Sequence, residues 1–163
     1  MLSKVHPELE RAHQAFLSWV EREKHFGITV KELTRTPTEH VERNLDEMEF
    51  QLALWKSNHW AFSPNQANRA EQLNRMGAEG RRREAARRFS WHLVGCAVTY
   101  DTGTAAEASD RAAREWWETH YPMPLWNVVQ CHPAYSLRGR RYFTVERHDY
   151  WRRKEAVQLT RSI

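Results

Sequence analysis

Residues 36–60 read TPTEHVERNLDEMEFQLALWKSNHW, and their pattern sets the fold class. Thr36 offers a hydroxyl to an orphan backbone N–H, Pro37 suits the first helical position, and Glu39 can reach back to the cap. Val41, Leu45, Met48, Leu52, Trp55 and His59 then recur at alternating spacings of four and three, the seam of helices packing at a shallow angle. Phe50, Leu54 and Trp60 lie off that seam, so this helix is expected to meet more than one neighbour.

The same punctuation recurs on both sides. Ser63-Pro64-Asn65-Gln66 repeats the capping box and starts a further helix with Ala67, Ala70 and Leu73 on one side, ended or kinked at Gly77 and Gly80. The next helix is expected from the Arg81 block to about Val98, on the stripe Ala85, Phe89, Leu93 and Ala97. Thr104-Ala105-Ala106-Glu107 is a third capping box, opening a helix with Ala108, Ala112 and Trp116 inward and ending near Tyr121-Pro122-Met123-Pro124. Upstream, Leu9, Ala12, Phe16, Trp19 and Val20 share one face of a helix over 7–25, with Gly27 as a left-handed cap.

Beyond Pro124 the texture changes. Leu125-Trp126-Asn127-Val128-Val129 reads as a buried strand, and Tyr142 to Arg147 alternates with period two. Leu137-Arg138-Gly139-Arg140 between them suits a hairpin turn, and a short helix over 150–159 follows. The expected architecture is mainly α: a helical bundle of about five helices, with a short β-hairpin and terminal helix in the last third. Residues 1–121 form the helical body, and the Arg-rich tail, 122–163, packs on it as one domain.

A chain of 163 residues can bury a core without disulfide or metal, and a 12% aromatic share with eight Trp argues against disorder. No stretch approaches 18 apolar residues and no secretory segment opens the chain, so a cytoplasmic protein without membrane contact is expected. Cys96 and Cys131 are expected to stay thiols.

Charge is where the sequence speaks to function. Residues 1–80 carry a net charge of −2 and residues 81–163 a net charge of +6, and 20 of the 25 basic residues are Arg. The excess lies in the block from Arg81 to Arg88 and in the tail from Leu137. Guanidinium forks grip phosphate oxygens bidentately and stack on bases, which suits nucleic acid better than Lys does. The expected phosphate contacts are Arg82, Arg83, Arg87, Arg88, Arg138, Arg140, Arg141, Arg152 and Arg153, with Tyr142 and Trp151 as stacking partners. Tyr142 and Phe143 must face opposite sides of a strand, so one of them belongs to the core. Trp116 and Trp117 are likewise about 100° apart on a helix; either one is exposed beside Arg, or Trp117 docks the β-ribbon on the body.

The chemistry of catalysis is sparsely represented. His92 and Cys96 sit at i and i+4 and Cys131 and His132 are adjacent, but their spacing matches no zinc finger. Glu10-Arg11-Ala12-His13 is a single Glu-x-x-His, too few for a di-iron bundle. Glu21-Arg22-Glu23-Lys24 resembles a nuclease element but lies within an amphipathic helix. There is no phosphate-binding loop and no Gly-x-Ser-x-Gly. No catalytic residue, metal or cofactor is therefore expected.

The function expected from these features is that of a small non-enzymatic accessory protein binding DNA or RNA, within a larger nucleoprotein assembly. The alternative is a protein-binding inhibitor or adaptor, such as a phage or mobile-element anti-CRISPR. It would present Glu39, Glu42, Asp46, Glu47 and Glu49 to a basic groove. Self-association into a homo-oligomer through the Val41–His59 seam is a further option.

Overall fold

The computed structural model describes residues 4–58, 61–131 and 140–162, with side chains through Gln158. Five helices, α1 (Pro7–Arg22), α2 (Pro37–Ser57), α3 (Pro64–Arg87), α4 (Glu107–His120) and α5 (Tyr150–Ser162), make it mostly helical. Four strands, β1 (Thr29–Glu32), β2 (Ala97–Asp101), β3 (Trp126–Cys131) and β4 (Tyr142–Arg147), form one antiparallel sheet in the order β1-β2-β4-β3. His59, Trp60, His132 and most of the expected hairpin turn lie outside the described residues. The chain divides into two compact units: Met1–Thr36 with Ser90–Ala156, and Pro37–Phe89 with Val157–Ile163. The body–tail boundary read at residues 121–124 lies inside the first unit.

In the first unit β3 and β4 pair as the expected hairpin, with Val128 opposite Val145. The sheet also has two strands the sequence reading did not contain. Residues 97 and 98, expected as the end of a helix, open β2, which pairs with β4 from Ala97–Glu146 to Asp101–Tyr142. The break falls at Gly95, whose φ of 70° ends a 3-10 turn over Trp91–Val94. A side chain at Gly95 would collide with the Lys4 carbonyl, so the position is closed to other residues on two counts. The stripe Ala85, Phe89, Leu93, Ala97 therefore runs through α3, the segment after it, the 3-10 turn and β2. A short, fully buried apolar run cannot be told from a helix by periodicity alone.

Helices α1 and α4 bury their apolar faces on this sheet rather than in a bundle. Leu9, Ala12 and Phe16 of α1 and Ala113 and Trp117 of α4 share one core with Val98, Tyr100, Trp126, Phe143 and Val145. The Phe16 ring lies 4.6 Å from Tyr100 and 5.4 Å from Trp117, and Trp117 lies 6.1 Å from Trp126. Trp117 thus fastens the ribbon to the helical layer, while Trp116 is half-buried between Phe16 and Trp19. The inward face of α4 is Asp110, Ala113 and Trp117, two residues on from the expected Ala108 and one on from Ala112 and Trp116. Its capping box does not form, because the Thr104 hydroxyl donates to the Gly27 carbonyl and Ala106 stands at the cap.

The second unit is built on α2 and α3. Of the expected seam, Val41, Met48 and Leu52 are buried, Leu45 packs against the cluster that holds Val41 and Met48, and Trp55 is half-buried. Ser63 and Gln66 exchange both bonds of the capping box that opens α3. Gly77 then breaks α3 with φ 71° and ψ 174°. The break is a sharp turn: Arg69 reaches Glu84 at 3.4 Å and Arg81 donates to the Leu73 carbonyl at 2.9 Å. In a straight helix residues 69 and 84 would be about 22 Å apart. Both arms of α3 contribute to one small core, Leu73 from the first and Ala85 and Ala86 from the second.

The end of α3 is capped by side chains from α2. Asn44 donates to the Ala85 carbonyl at 3.0 Å, and the His40 imidazole meets the Arg88 carbonyl. Helix C-termini leave such carbonyls without intrahelical partners, and here two buried polar side chains satisfy them.

Candidate nucleic-acid interface

The second arm of α3 places its arginines by helical spacing. Arg81 points back along the helix, bonded to the Leu73 carbonyl and to Glu49 at 2.7 Å, and holds the turn. Arg82 and Arg83 face solvent. With Pro37, Thr38, Val41, Glu42, Glu79 and Ala86 they line a groove of about 480 Å³ against the first turn of α2. Arg82 pairs with Glu42 at 3.0 Å and Arg83 with Glu79 at 3.9 Å, all four side chains more than half exposed. Arg87 is exposed too. Arg88 is half-buried; burial first, then Arg69, work against its charge and pull its pKa down.

The tail arginines have different fates. Arg138 lies outside the described residues. Arg140 is exposed and paired with Asp101 at 3.0 Å. Arg141 donates to the Thr102 and Ala105 carbonyls at 3.0 and 2.7 Å and fixes the turn between β2 and α4. Arg152 donates to the Lys4 and Val94 carbonyls at 2.7 and 3.0 Å. Both guanidiniums serve the fold. Arg153 is exposed on α5. Tyr142 is half-buried beneath the Lys31 ammonium, 3.8 Å from its ring centre, while Phe143 is the core residue of that pair. Trp151 stands in solvent, 71% exposed.

Two residues beside these were not among the expected contacts, although Tyr150 is one of the aromatics interleaved with Arg in the tail. Tyr150 is 71% exposed with its ring 5.6 Å from Trp151, and the Lys154 ammonium lies 5.8 Å from the Trp151 ring. Their one sequence signal was the helical spacing Tyr150, Trp151, Lys154. The start of α5 is held by Asp149, whose carboxylate accepts the Trp151 and Arg152 N–H groups and a hydrogen bond from His6 at 3.1 Å. Of the acidic residues expected to face a partner, Glu42 and Glu49 pair with Arg82 and Arg81.

The cysteines do not converge. Cys131 pairs with Tyr142, while Cys96 precedes Ala97, which pairs with Glu146; four residues of β4 put about 13 Å between those rungs. His92 is bonded to the Thr99 hydroxyl at 2.8 Å, and burial pushes the Cys96 thiol up to about 11, far from a reactive thiolate. Among the described residues no group of three or more His, Cys, Asp and Glu could hold a metal ion, and no helix is long and apolar enough to cross a membrane. No protein-family model, curated protein or solved structure matches the chain.

Proposed function

We propose that this chain is a non-enzymatic accessory protein that binds nucleic acid through arginines its fold leaves in solvent, as a component of a larger nucleoprotein assembly. The observation that carries the reading is the groove of the second unit, where Arg82 and Arg83 lie side by side with exposed carboxylate partners. Exposed ion pairs hold their partners by only about 0.2–1 kcal/mol each. A phosphate offers the same fork geometry with more charge, so the guanidiniums can be handed from Glu42 and Glu79 to a backbone at little cost. Arg87 extends the row, and among the described residues of the tail segment Arg140 and Arg153 are exposed. Arg141 and Arg152 leave the contact set, since each is engaged by two backbone carbonyls.

The test is a salt-dependent titration of the full chain against duplex DNA, single-stranded DNA and RNA, beside Arg82/Arg83→Ala. The expected result is affinity that falls steeply with salt, with the log–log slope reduced by about one for each phosphate contact removed. Retention of no nucleic acid at low ionic strength would overturn the reading. It would leave the protein-binding adaptor as the account to pursue.

A further inference from the structure

Eight large apolar side chains stand in solvent among the described residues, and four lie in the two segments that adjoin the start of β3 and the end of β4. Met123 and Leu125 precede β3, and Tyr150 and Trp151 open α5. The His148 N–H donates to the Leu125 carbonyl at 2.8 Å, which ties the two segments together where β3 begins and β4 ends. Isolated exposed apolar residues are ordinary; four at one end of a sheet, two of them aromatic and each 71% exposed, are not.

The surroundings select the occupant. Lys154 lies against the Trp151 ring and Arg153 is exposed on the same turns. The nearest carboxylate along the chain, Asp149, is occupied by His6 and by the first N–H groups of α5, and it carries a full charge because those N–H groups and His6 outweigh the effect of burial. Glu155 is the one exposed acid of the segment 150–156. Two rings, each largely in solvent and bordered by cations, are the elements of a stacking platform for bases with a track for phosphates. In a duplex the bases hide their faces in their own stack, and only unpaired bases can lie on an aromatic ring.

We infer that the Tyr150–Trp151–Lys154 ledge is a binding site for single-stranded nucleic acid, with a base stacked on Trp151 and the adjoining phosphate at Lys154. The inference rests on the nucleic-acid reading above and narrows its substrate class. The ledge belongs to the first unit and the Arg82–Arg83 groove to the second, so the two can be disabled separately.

The experiment titrates fluorescein-labelled oligothymidylate and a duplex of equal length with the full chain and with Trp151→Ala, Trp151→Phe and Lys154→Ala. Trp151 lies in solvent, so its variants should keep the near-UV circular dichroism and melting temperature of the parent, and both are recorded. Trp151→Ala is expected to bind the single strand about 5- to 150-fold more weakly with an unchanged salt slope. Trp151→Phe should retain most of the affinity, and Lys154→Ala should lower the slope by about one. Duplex binding should be indifferent to Trp151. Single-strand binding that Trp151→Ala leaves intact would overturn this inference and spare the broader reading. Failure of the parent to bind the single strand while it binds the duplex would overturn this inference and spare the broader reading; failure to bind these probes and an RNA strand would overturn both.

Discussion

At the residue scale, single side chains decide which parts of the sequence pattern survive. Gly77 sits at φ 71° and ψ 174°, a region essentially closed to residues with a Cβ, although space beside it is open. Gly77→Ala is therefore expected to cost about 1–3 kcal/mol, all of it backbone strain, read as a lower midpoint in denaturant unfolding. Gly77 was legible as a break or kink but not as a reversal, because the φ sign is set by which arm packs on which. The arginines show the opposite limit. Their number and clustering are plain in the sequence, but Arg152 meets a carbonyl 148 positions away and Arg141 one 36 away, contacts no local pattern encodes. Charge counted along the chain thus overstated the solvent-exposed guanidiniums among the described residues of the tail.

At the element scale, local chemistry was read well where it stayed local. The Ser63–Gln66 box, the α2 seam, the alternation in β4 and the start of α5 at Tyr150 are all present. The Thr104 box failed because a carbonyl of another segment took its hydroxyl, and β2 was missed because its residues are buried on both faces and show no alternation. Two helix starts are also coupled across the sequence. His6 accepts the Glu8 N–H through Nδ1 to cap α1, leaving Nε2 to donate to Asp149, which caps α5. Burial, then Arg152 and Arg147, lower the His6 pKa against the opposing pull of Asp149 and Glu8. A lowered histidine favours the fold at neutral pH, and that contribution is lost as pH falls from 6.5 toward the folded-state value. Protonation also removes the Nδ1 acceptor. The Asp149 carboxyl is lowered as well, so its contribution disappears at still lower pH. Urea unfolding should therefore show stability falling below about pH 6.5, and His6→Asn, which keeps a side-chain acceptor without titrating, should flatten that limb. A pH dependence identical in the two proteins would contradict the assignment.

At the scale of the whole molecule, the sequence correctly indicated a mainly helical chain with a β-hairpin in its last third, and not the four-stranded sheet that unites residues 29–32 and 97–101 with that hairpin. Sheet membership depends on pairing between strands more than 40 residues apart, such as β2 with β4, which no window of sequence contains. The functional account turns on charge exchange at one groove. Arg82 and Arg83 now face Glu42 and Glu79, and a phosphate must displace those carboxylates. The decisive measurement is the affinity of Glu42/Glu79→Gln for nucleic acid at low salt. If the groove binds phosphate, removing its competitors should tighten binding by about 2- to 30-fold, the combined worth of two exposed ion pairs. Unchanged or weaker binding would contradict the account.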